Sequence, residues 1–158
     1  MSVLSDLTTH YLAGVDDLRR SVAGMAGEQI KARPIPGKWS TLEVVCHLAD
    51  FEPILADRMK RVIAQDNPQL IGADEKRFAA ALAYHDRSLE EELALIDMTR
   101  QQMARILRTL TAEALQRTGV HNERGPVTLE KLLSQATNHI RHHVPFISEK
   151  RRALGIGS

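Results

Sequence analysis

A long amphipathic helix is encoded in STLEVVCHLADFEPILADRMKRVIA, which runs from Ser40 to Ala64. Its first four residues match a capping box, in which the Ser40 hydroxyl and the Glu43 carboxylate each accept a hydrogen bond from an unpaired backbone amide. The segment therefore predicts a helix that buries one face and bends at Pro53. The buried face repeats every three or four residues and consists of Thr41, Val44, Val45, Leu48, Phe51, Leu55, Met59 and Val62.

Three further segments have the same periodicity. Apolar residues recur at helical spacing from Leu4 to Met25, from Leu89 to Leu110 and from Leu129 to Leu154. Ser88 and Thr128 are the predicted N-caps of the last two, and Gly155 supplies the stop signal after the final one. Four helices of about 20 residues predict a four-helix bundle, with the order and handedness of the helices left open.

The connections between these helices are long. We predict a loop with two prolines at residues 31–38, a loop at 66–72 and turn structure at 119–126. Residues 75–82 and 111–116 predict short extra helices. No segment has the period of a strand, so the expected fold class is all-α, in one domain that spans residues 1–158.

Composition excludes several classes of function. The chain has 158 residues, of which 43% are apolar, and its 21 basic residues nearly balance its 20 acidic ones. Nucleic-acid binding would leave a basic patch, and none is present beyond a short run at the end of the last helix. No apolar run is long enough to span a membrane. The N-terminus lacks a signal pattern and Cys46 is the single cysteine, so we expect a cytoplasmic protein without a disulfide framework.

The histidines of the last helix suggest a metal site. Residues four apart lie about 40° apart around a helix and roughly 6 Å apart along it, so His139 and His143 can direct their rings to one point. Both border the apolar face, whereas His142 points to solvent. His47 lies at the edge of the Ser40–Ala64 stripe, from where it can supply a third imidazole. Three imidazoles with one open position form the kind of site used by catalytic zinc.

Other interpretations of these residues remain open. His139 and His143 can be buried neutral histidines with other partners, and His47 can be an ordinary half-exposed residue. The Glu43 carboxylate can orient the His47 ring through a hydrogen bond, although the capping box already explains a glutamate at this position. Two charged residues that fall within apolar stripes also have two possible interpretations. Glu52 and Arg100 either form a structural ion pair, which we favour, or bind an anionic substrate as catalytic candidates.

Two motifs resemble a known family. Residues 37–50 read GKWSTLEVVCHLAD and resemble the first motif of the DinB/YfiT-like superfamily, roughly G-K-W-S-x-x-E-V-x-x-H-L-x-D. The second motif, H-x-x-H-H, resembles residues 139–143, and the turn before it resembles residues 125–128. The resemblance covers about residues 4–154, but only the two histidine motifs are specific.

The resemblance implies a fold, a metal and a chemistry. It implies an up-down-down-up four-helix bundle, often a homodimer, with a divalent metal, commonly nickel or zinc, held by His47, His139 and His143. Family members with assigned chemistry resemble transferases or isomerases that use a low-molecular-weight thiol such as bacillithiol or mycothiol, and others are labelled metal-dependent hydrolases.

The sequence therefore favours a metal-dependent enzyme acting on a small-molecule substrate. With a thiol of the bacillithiol, mycothiol or glutathione type as nucleophile, it would be a transferase acting on an electrophile. With hydroxide, it would be a hydrolase. Two rivals remain: a metal-binding stress protein without turnover, and a plain helical bundle that dimerises through an apolar face and whose histidines are unrelated.

Overall fold

Six helices account for most of the structure, a computed structural model that describes residues 3–157. Four of them are long and form the predicted bundle; two are short and lie in the connections. In chain order they are α1 (Val3–Val22), α2 (Gly27–Lys31), α3 (Thr41–Ala64), α4 (Glu75–Ala81), α5 (Leu89–Leu107) and α6 (Leu129–Ala153). Two short 3-10 turns add Tyr84–Asp86 and Ala112–Gln116.

The helix starts follow the predicted caps. The Ser40 hydroxyl accepts a hydrogen bond from the Glu43 amide at 3.1 Å, and the Ser40 amide donates to the Glu43 carboxylate at 2.7 Å, which completes the capping box of α3. The hydroxyls of Ser88 and Thr128 likewise accept from amides in the first turns of α5 and α6. Helix α1 ends at Val22, earlier than predicted, and the chain then turns through glycine at residue 24, whose φ is +73°.

The four long helices run up, down, down and up. Helices α3 and α5 are parallel neighbours: Asp50 pairs with Arg87 just before α5, and further along Lys60 donates to Gln102. Helix α6 runs beside α1 in the same direction, and its Arg151 donates to the Ala23 carbonyl just after α1. The main helix contacts pair α1 with α5 and α6, and α3 with the same two helices. Successive helices α1 and α3 therefore lie on a diagonal of the bundle.

A small sheet corrects the prediction that no segment forms a strand. It contains β1 (Gln69–Leu70), β2 (Thr118–His121) and β3 (Gly125–Thr128), in the order β1-β2-β3. The first pair is parallel and the second is an antiparallel hairpin. Strands of two to four residues are too short to show a period-two pattern, and turn residues interrupt them. The loop predicted at 66–72 and the turn predicted at 119–126 therefore conceal the sheet.

The sheet packs directly against α3. A Cβ atom at Gly119 would lie 2.9 Å from Val62 Cγ2 and 3.1 Å from the Pro68 carbonyl oxygen. Glycine at this position of β2 allows the strand to approach the helix closely. The connection between α5 and α6 is thereby held against the C-terminal end of α3.

The apolar core has two main parts with a polar layer between them, and a smaller cluster packs around Leu42 and Tyr84. One part surrounds Leu55, Met59 and Leu133, and the other surrounds Leu48 and Ile96. The polar layer contains Glu52 and Arg100, described below with the other candidate residues. Within residues 3–157, no helix combines the length and the apolarity that crossing a bilayer requires.

Candidate metal centre

Helices α3 and α6 bring the three predicted histidines together. Because the two helices are antiparallel neighbours, His47 near the start of α3 faces the middle of α6, where His139 and His143 lie one turn apart. The Nε2 atoms of His47 and His139 are 3.0 Å apart. One nitrogen from each of the three rings lies within 4.8 Å of the other two, so the group could hold a metal ion.

The neighbouring candidates stay outside this group. His142 is exposed, as its position on the helix predicted, and its ring packs on Phe146. The carboxylate of Glu43 binds Arg33 at 3.0 Å and lies 3.0 Å from the His85 ring, in addition to its capping bond. The possibility that Glu43 orients His47 is wrong, because Nδ1 of His47 has no hydrogen-bond partner in the described part of the chain and its Nε2 faces His139.

The three rings are kept neutral by their surroundings. Burial is the main cause that lowers the pKa of His139 to about 3 and of His143 to about 4, and the nearby imidazoles lower both further. The pKa of His47 is also lowered, again chiefly by burial, since its side chain is only 1% exposed. The prediction that His47 could be half-exposed is wrong. Neutral imidazoles are the form that binds metal ions, so the lowered pKa values reduce the competition between protons and a metal ion for these nitrogens.

The donor set fits a divalent ion. In each of the three rings, Nδ1 is buried and has no hydrogen-bond partner among the described residues. No hydrogen bond from Nδ1 within residues 3–157 therefore orients these rings, and the observation that a shared ion would explain is the close approach of the Nε2 atoms of His47 and His139. A divalent ion would be held by one nitrogen of each ring, and neutral imidazole nitrogens are donors that zinc and nickel accept. The nearest carboxylate is that of Glu75 in α4, whose Oε2 lies 3.9 Å from His47 Nε2.

A cavity of about 860 Å³ opens onto the three imidazoles. Its size is near the upper end of small-molecule sites, which span roughly 300–1,000 Å³. Trp39 and Phe51 form an aromatic wall, with ring centroids 5.3 Å and 4.7 Å from that of His47. Polar and charged side chains lie beyond them in both directions along α3 and α6: Lys38, Glu149 and Lys150 at one end, and Arg58, His121, Glu123 and Arg124 at the other.

The catalytic candidates Glu52 and Arg100 do not reach this cavity. They form a buried ion pair in which Arg100 Nη2 lies 2.9 Å from Glu52 Oε2, and both side chains are almost completely inaccessible. The same guanidinium donates to the backbone carbonyl oxygens of Tyr11 and Ala136, and the Tyr11 hydroxyl donates to Glu52 at 2.6 Å. The preferred interpretation as a structural ion pair is confirmed, and the one as a substrate-binding pair is wrong.

The one cysteine also has no place in the site. Cys46 is buried beside His47 in sequence but points away from the cavity and lies 3.5 Å from the Tyr84 carbonyl oxygen. Burial is the main cause that raises the pKa of its thiol to about 12. A protonated, enclosed thiol serves packing and is not a nucleophile.

Several residues of the cavity have no prediction from the sequence. Arg58 follows His47 by three helical turns and so shares its face of α3, a signal that the apolar stripe concealed. Lys150 follows His143 by two helical turns and so shares its face of α6. It donates to the Phe146 carbonyl oxygen at 3.1 Å. His121 lies on β2, and no sequence pattern indicated which way this segment would fold.

The low pKa values of the histidines predict that the metal-free protein loses stability in mild acid. Between about pH 4 and the ordinary histidine pKa of 6.5, the unfolded chain binds protons that the folded chain does not. The free energy of unfolding therefore rises with pH in this window and falls as pH decreases from 6.5. From pH 6.5 to 5, we expect a loss on the order of 1 kcal/mol each for His139 and His143.

Urea denaturation of the chelator-treated protein at several pH values measures this loss. A variant with both residues replaced by glutamine is the control, because its unfolding free energy should depend less steeply on pH. Equal pH dependence in the two proteins would contradict the neutral, buried state of these rings.

Comparison with known proteins tests the family. The model of the DinB superfamily matches residues 11–147, most of the chain and both histidine motifs. This chain belongs to the DinB superfamily. The resemblance carried by the two motifs is thereby confirmed.

Two curated relatives are 28–29% identical to the chain over the aligned residues. A protein of Oceanobacillus iheyensis is 29% identical over 131 residues, which cover 83% of this chain and 76% of that protein. YfiT of Bacillus subtilis is 28% identical over 139 residues, covering 87% and 78%. Both carry the name "Putative metal-dependent hydrolase".

Solved structures match the same DinB fold. The structure of YfiT from Bacillus subtilis, described as a probable metal-dependent hydrolase with an unusual four-helix bundle topology, superposes with a TM-score of 0.90 at 25% identity. It covers 99% of this chain and 91% of that one. A mycothiol-dependent maleylpyruvate isomerase matches with a TM-score of 0.70 at 13% identity, over 91% of this chain and 60% of that one, which establishes a shared fold only.

Proposed function

We propose that the protein is a divalent-metal-dependent enzyme that transfers a low-molecular-weight thiol to an electrophilic small molecule, with zinc or nickel held by His47, His139 and His143. The observation that carries this proposal is the meeting of three neutral imidazoles at the floor of a cavity of small-molecule size. A bound divalent ion would lower the pKa of a thiol or a water molecule and so supply a nucleophile near neutral pH.

The protein's own side chains support an external nucleophile. Among the residues that line the cavity in the described chain, none is serine, threonine or cysteine. No hydroxyl or thiol of the described chain is therefore placed to attack, which favours a second ligand or water as the source of the nucleophile. The volume of about 860 Å³ leaves room for a thiol and a substrate together, which favours the transferase over the hydrolase.

Glu75 is the residue best placed to accept the proton of the nucleophile. Its carboxylate lies 3.9 Å from His47 Nε2 and is half exposed at the cavity wall. In the proposed reaction, the thiol gives its proton to Glu75 and its sulfur forms a bond to the electrophilic carbon. The bond from that carbon to the leaving group breaks, and the leaving group departs with the electron pair. Trp39 and Phe51 exclude water from one side of the reacting atoms.

Hydrolysis is the second candidate. The names of the relatives favour it, and Glu75 could take a proton from water as readily as from a thiol. In that case, the oxygen of water would form the new bond to carbon and the leaving group would depart in the same way.

A thermal-shift screen of metals crossed with thiols tests the proposal. The untagged protein, stripped of metal and reloaded with zinc or nickel, should be stabilised by bacillithiol, mycothiol or glutathione only when metal is present, by about 2.7 kcal/mol at a thiol concentration 100 times Kd. Mass spectrometry with 1-chloro-2,4-dinitrobenzene should then detect the thiol conjugate. We expect its rate to fall at least about 100-fold in His143→Gln.

Other results would favour the rivals. Metal-dependent cleavage of p-nitrophenyl acetate without any thiol effect would support the hydrolase. Bound metal with neither activity would support a metal-binding stress protein, and an untagged protein that takes up no metal would reject the metal site altogether.

A further inference from the structure

Arg58 is a buried cation on the cavity wall. It follows His47, Phe51 and Leu55 along the cavity-lining face of α3, and only 6% of its surface is exposed. Its Nη2 donates to the Ile71 carbonyl oxygen at 2.8 Å, and its Nε is buried without a partner. None of the ion pairs among the described residues includes Arg58, and the adjacent Asp57 pairs with Arg61.

Two further donors face the same end of the cavity. His121 is 5% exposed, and its Nδ1 accepts a hydrogen bond from the Glu123 amide at 3.2 Å, so Nε2 carries the ring proton and is a donor. Arg124 follows in the exposed turn between β2 and β3 and also lines the cavity. An acidic group, the carboxylate of Glu123, also lines the cavity here and packs against Gly72.

The electrostatics of this cluster favour an anion. Burial lowers the pKa of Arg58 and of His121, the charge of Arg124 lowers both further, and the Glu123 carboxylate acts in the opposite direction. A buried guanidinium with an unsatisfied N–H destabilises a protein unless an acceptor reaches it. The planar fork of arginine matches the two oxygens of a carboxylate or a phosphate, which makes an oxyanion the complementary ligand.

We propose that Arg58, His121 and Arg124 form a subsite that binds the terminal oxyanion of the cavity's ligand, a carboxylate or a phosphate. On α3, Arg58 comes 11 residues after His47, about 16 Å along the axis, and its side chain tilts back toward the histidines. The ligand class is therefore an elongated small molecule with an anionic group at one end and its reacting centre at the histidines. The placement of the reacting centre at the histidines rests on the proposed function, whereas binding of the oxyanion does not require metal.

A purely structural role for Arg58 makes a different prediction. In that case, its single bond to the Ile71 carbonyl would fix the segment before α4, and anions would not affect it. Arg117 provides the matched control, because it also anchors backbone, donating to the carbonyl oxygens of Val62 and Gln65, but does not line the cavity.

The test is NMR of the metal-free, full-length protein labelled with 15N. Sodium phosphate and sodium acetate are titrated at constant ionic strength against sodium chloride, and the Nε–H signal of Arg58 is followed. We expect a saturable shift with phosphate, acetate or both, and the stronger of the two identifies the oxyanion. Arg58→Met should weaken binding, followed at the Gly72 amide, at least about tenfold. Arg117→Met should leave it unchanged.

Two results would overturn the subsite: no shift of the Arg58 signal beyond that caused by chloride, or unchanged affinity in Arg58→Met. If Arg58→Met fails to fold, Arg58→Lys keeps the charge but loses the fork and should still weaken binding. Metal content of the wild-type protein is measured separately. Bound zinc without an anion response rejects the subsite alone, and an anion response without bound metal supports the subsite while rejecting the proposed function.

Discussion

Replacing His47 by glutamine is expected to abolish stoichiometric metal binding by the untagged protein. Glutamine keeps much of the volume beside Trp39 and Phe51 but removes one of three converging ring nitrogens. Replacement of residues that only support metal ligands typically costs 10–100-fold in affinity, so loss of a ligand should cost at least about 100-fold. His139→Gln and His143→Gln should behave in the same way.

His142→Gln is the matched control for this experiment. It lies on the same helix, next to His143, but its ring is exposed and outside the convergent group. Elemental analysis and competition with a chelator should give about one ion per chain in the wild type and in His142→Gln, and almost none in the other three variants. Wild-type metal content in His47→Gln, or an equal loss in His142→Gln, would show that the convergence of rings is not a metal site.

The second large effect concerns stability. Arg100→Met should lower the free energy of unfolding by about 3–5 kcal/mol, because it leaves the Glu52 carboxylate buried with only the Tyr11 hydroxyl as a partner. This is a large part of the roughly 5–15 kcal/mol that stabilises a typical domain. Gly14 depends on the same cluster, since a Cβ atom there would lie 2.7 Å from Arg100 Nη1.

A double variant separates the ion pair from packing. Glu52→Leu with Arg100→Met removes both charges and should recover most of the stability that either single variant loses, because no uncompensated charge remains buried. Urea denaturation of all four proteins gives the coupling energy. Losses below about 1 kcal/mol in both single variants would contradict a structural role for the pair. Metal binding at temperatures where the variants are folded should be unchanged, since neither residue lines the cavity.

Secondary structure was predictable where its cause is local. The capping box of Ser40 and Glu43, and the hydroxyl caps of Ser88 and Thr128, depend on neighbours within one helical turn, and all three start helices as expected. The helical position of His142 likewise predicted its exposure. The sheet was missed because β1 and β2 are joined by pairing between segments far apart in sequence, and each is too short to carry a pattern of its own.

The surroundings of the histidines were less predictable. Because a helix rotates by about 100° per residue, the sequence determined which residues share a face: His139 with His143 on α6, and His47 with Arg58 on α3. It did not determine that His47 is buried, since its burial depends on how closely α6 and Trp39 cover it.

The sequence by itself determined four amphipathic helices and the caps of three of them, and it favoured an ion pair between Glu52 and Arg100. Helical period and the cost of buried charge act through composition and spacing. Only the tertiary structure decided that α3 packs antiparallel to α6, and that the hairpin carries His121 to the far end of the same cavity. The physical reason is that packing between distant segments depends on shape complementarity across the whole bundle, which no local pattern records.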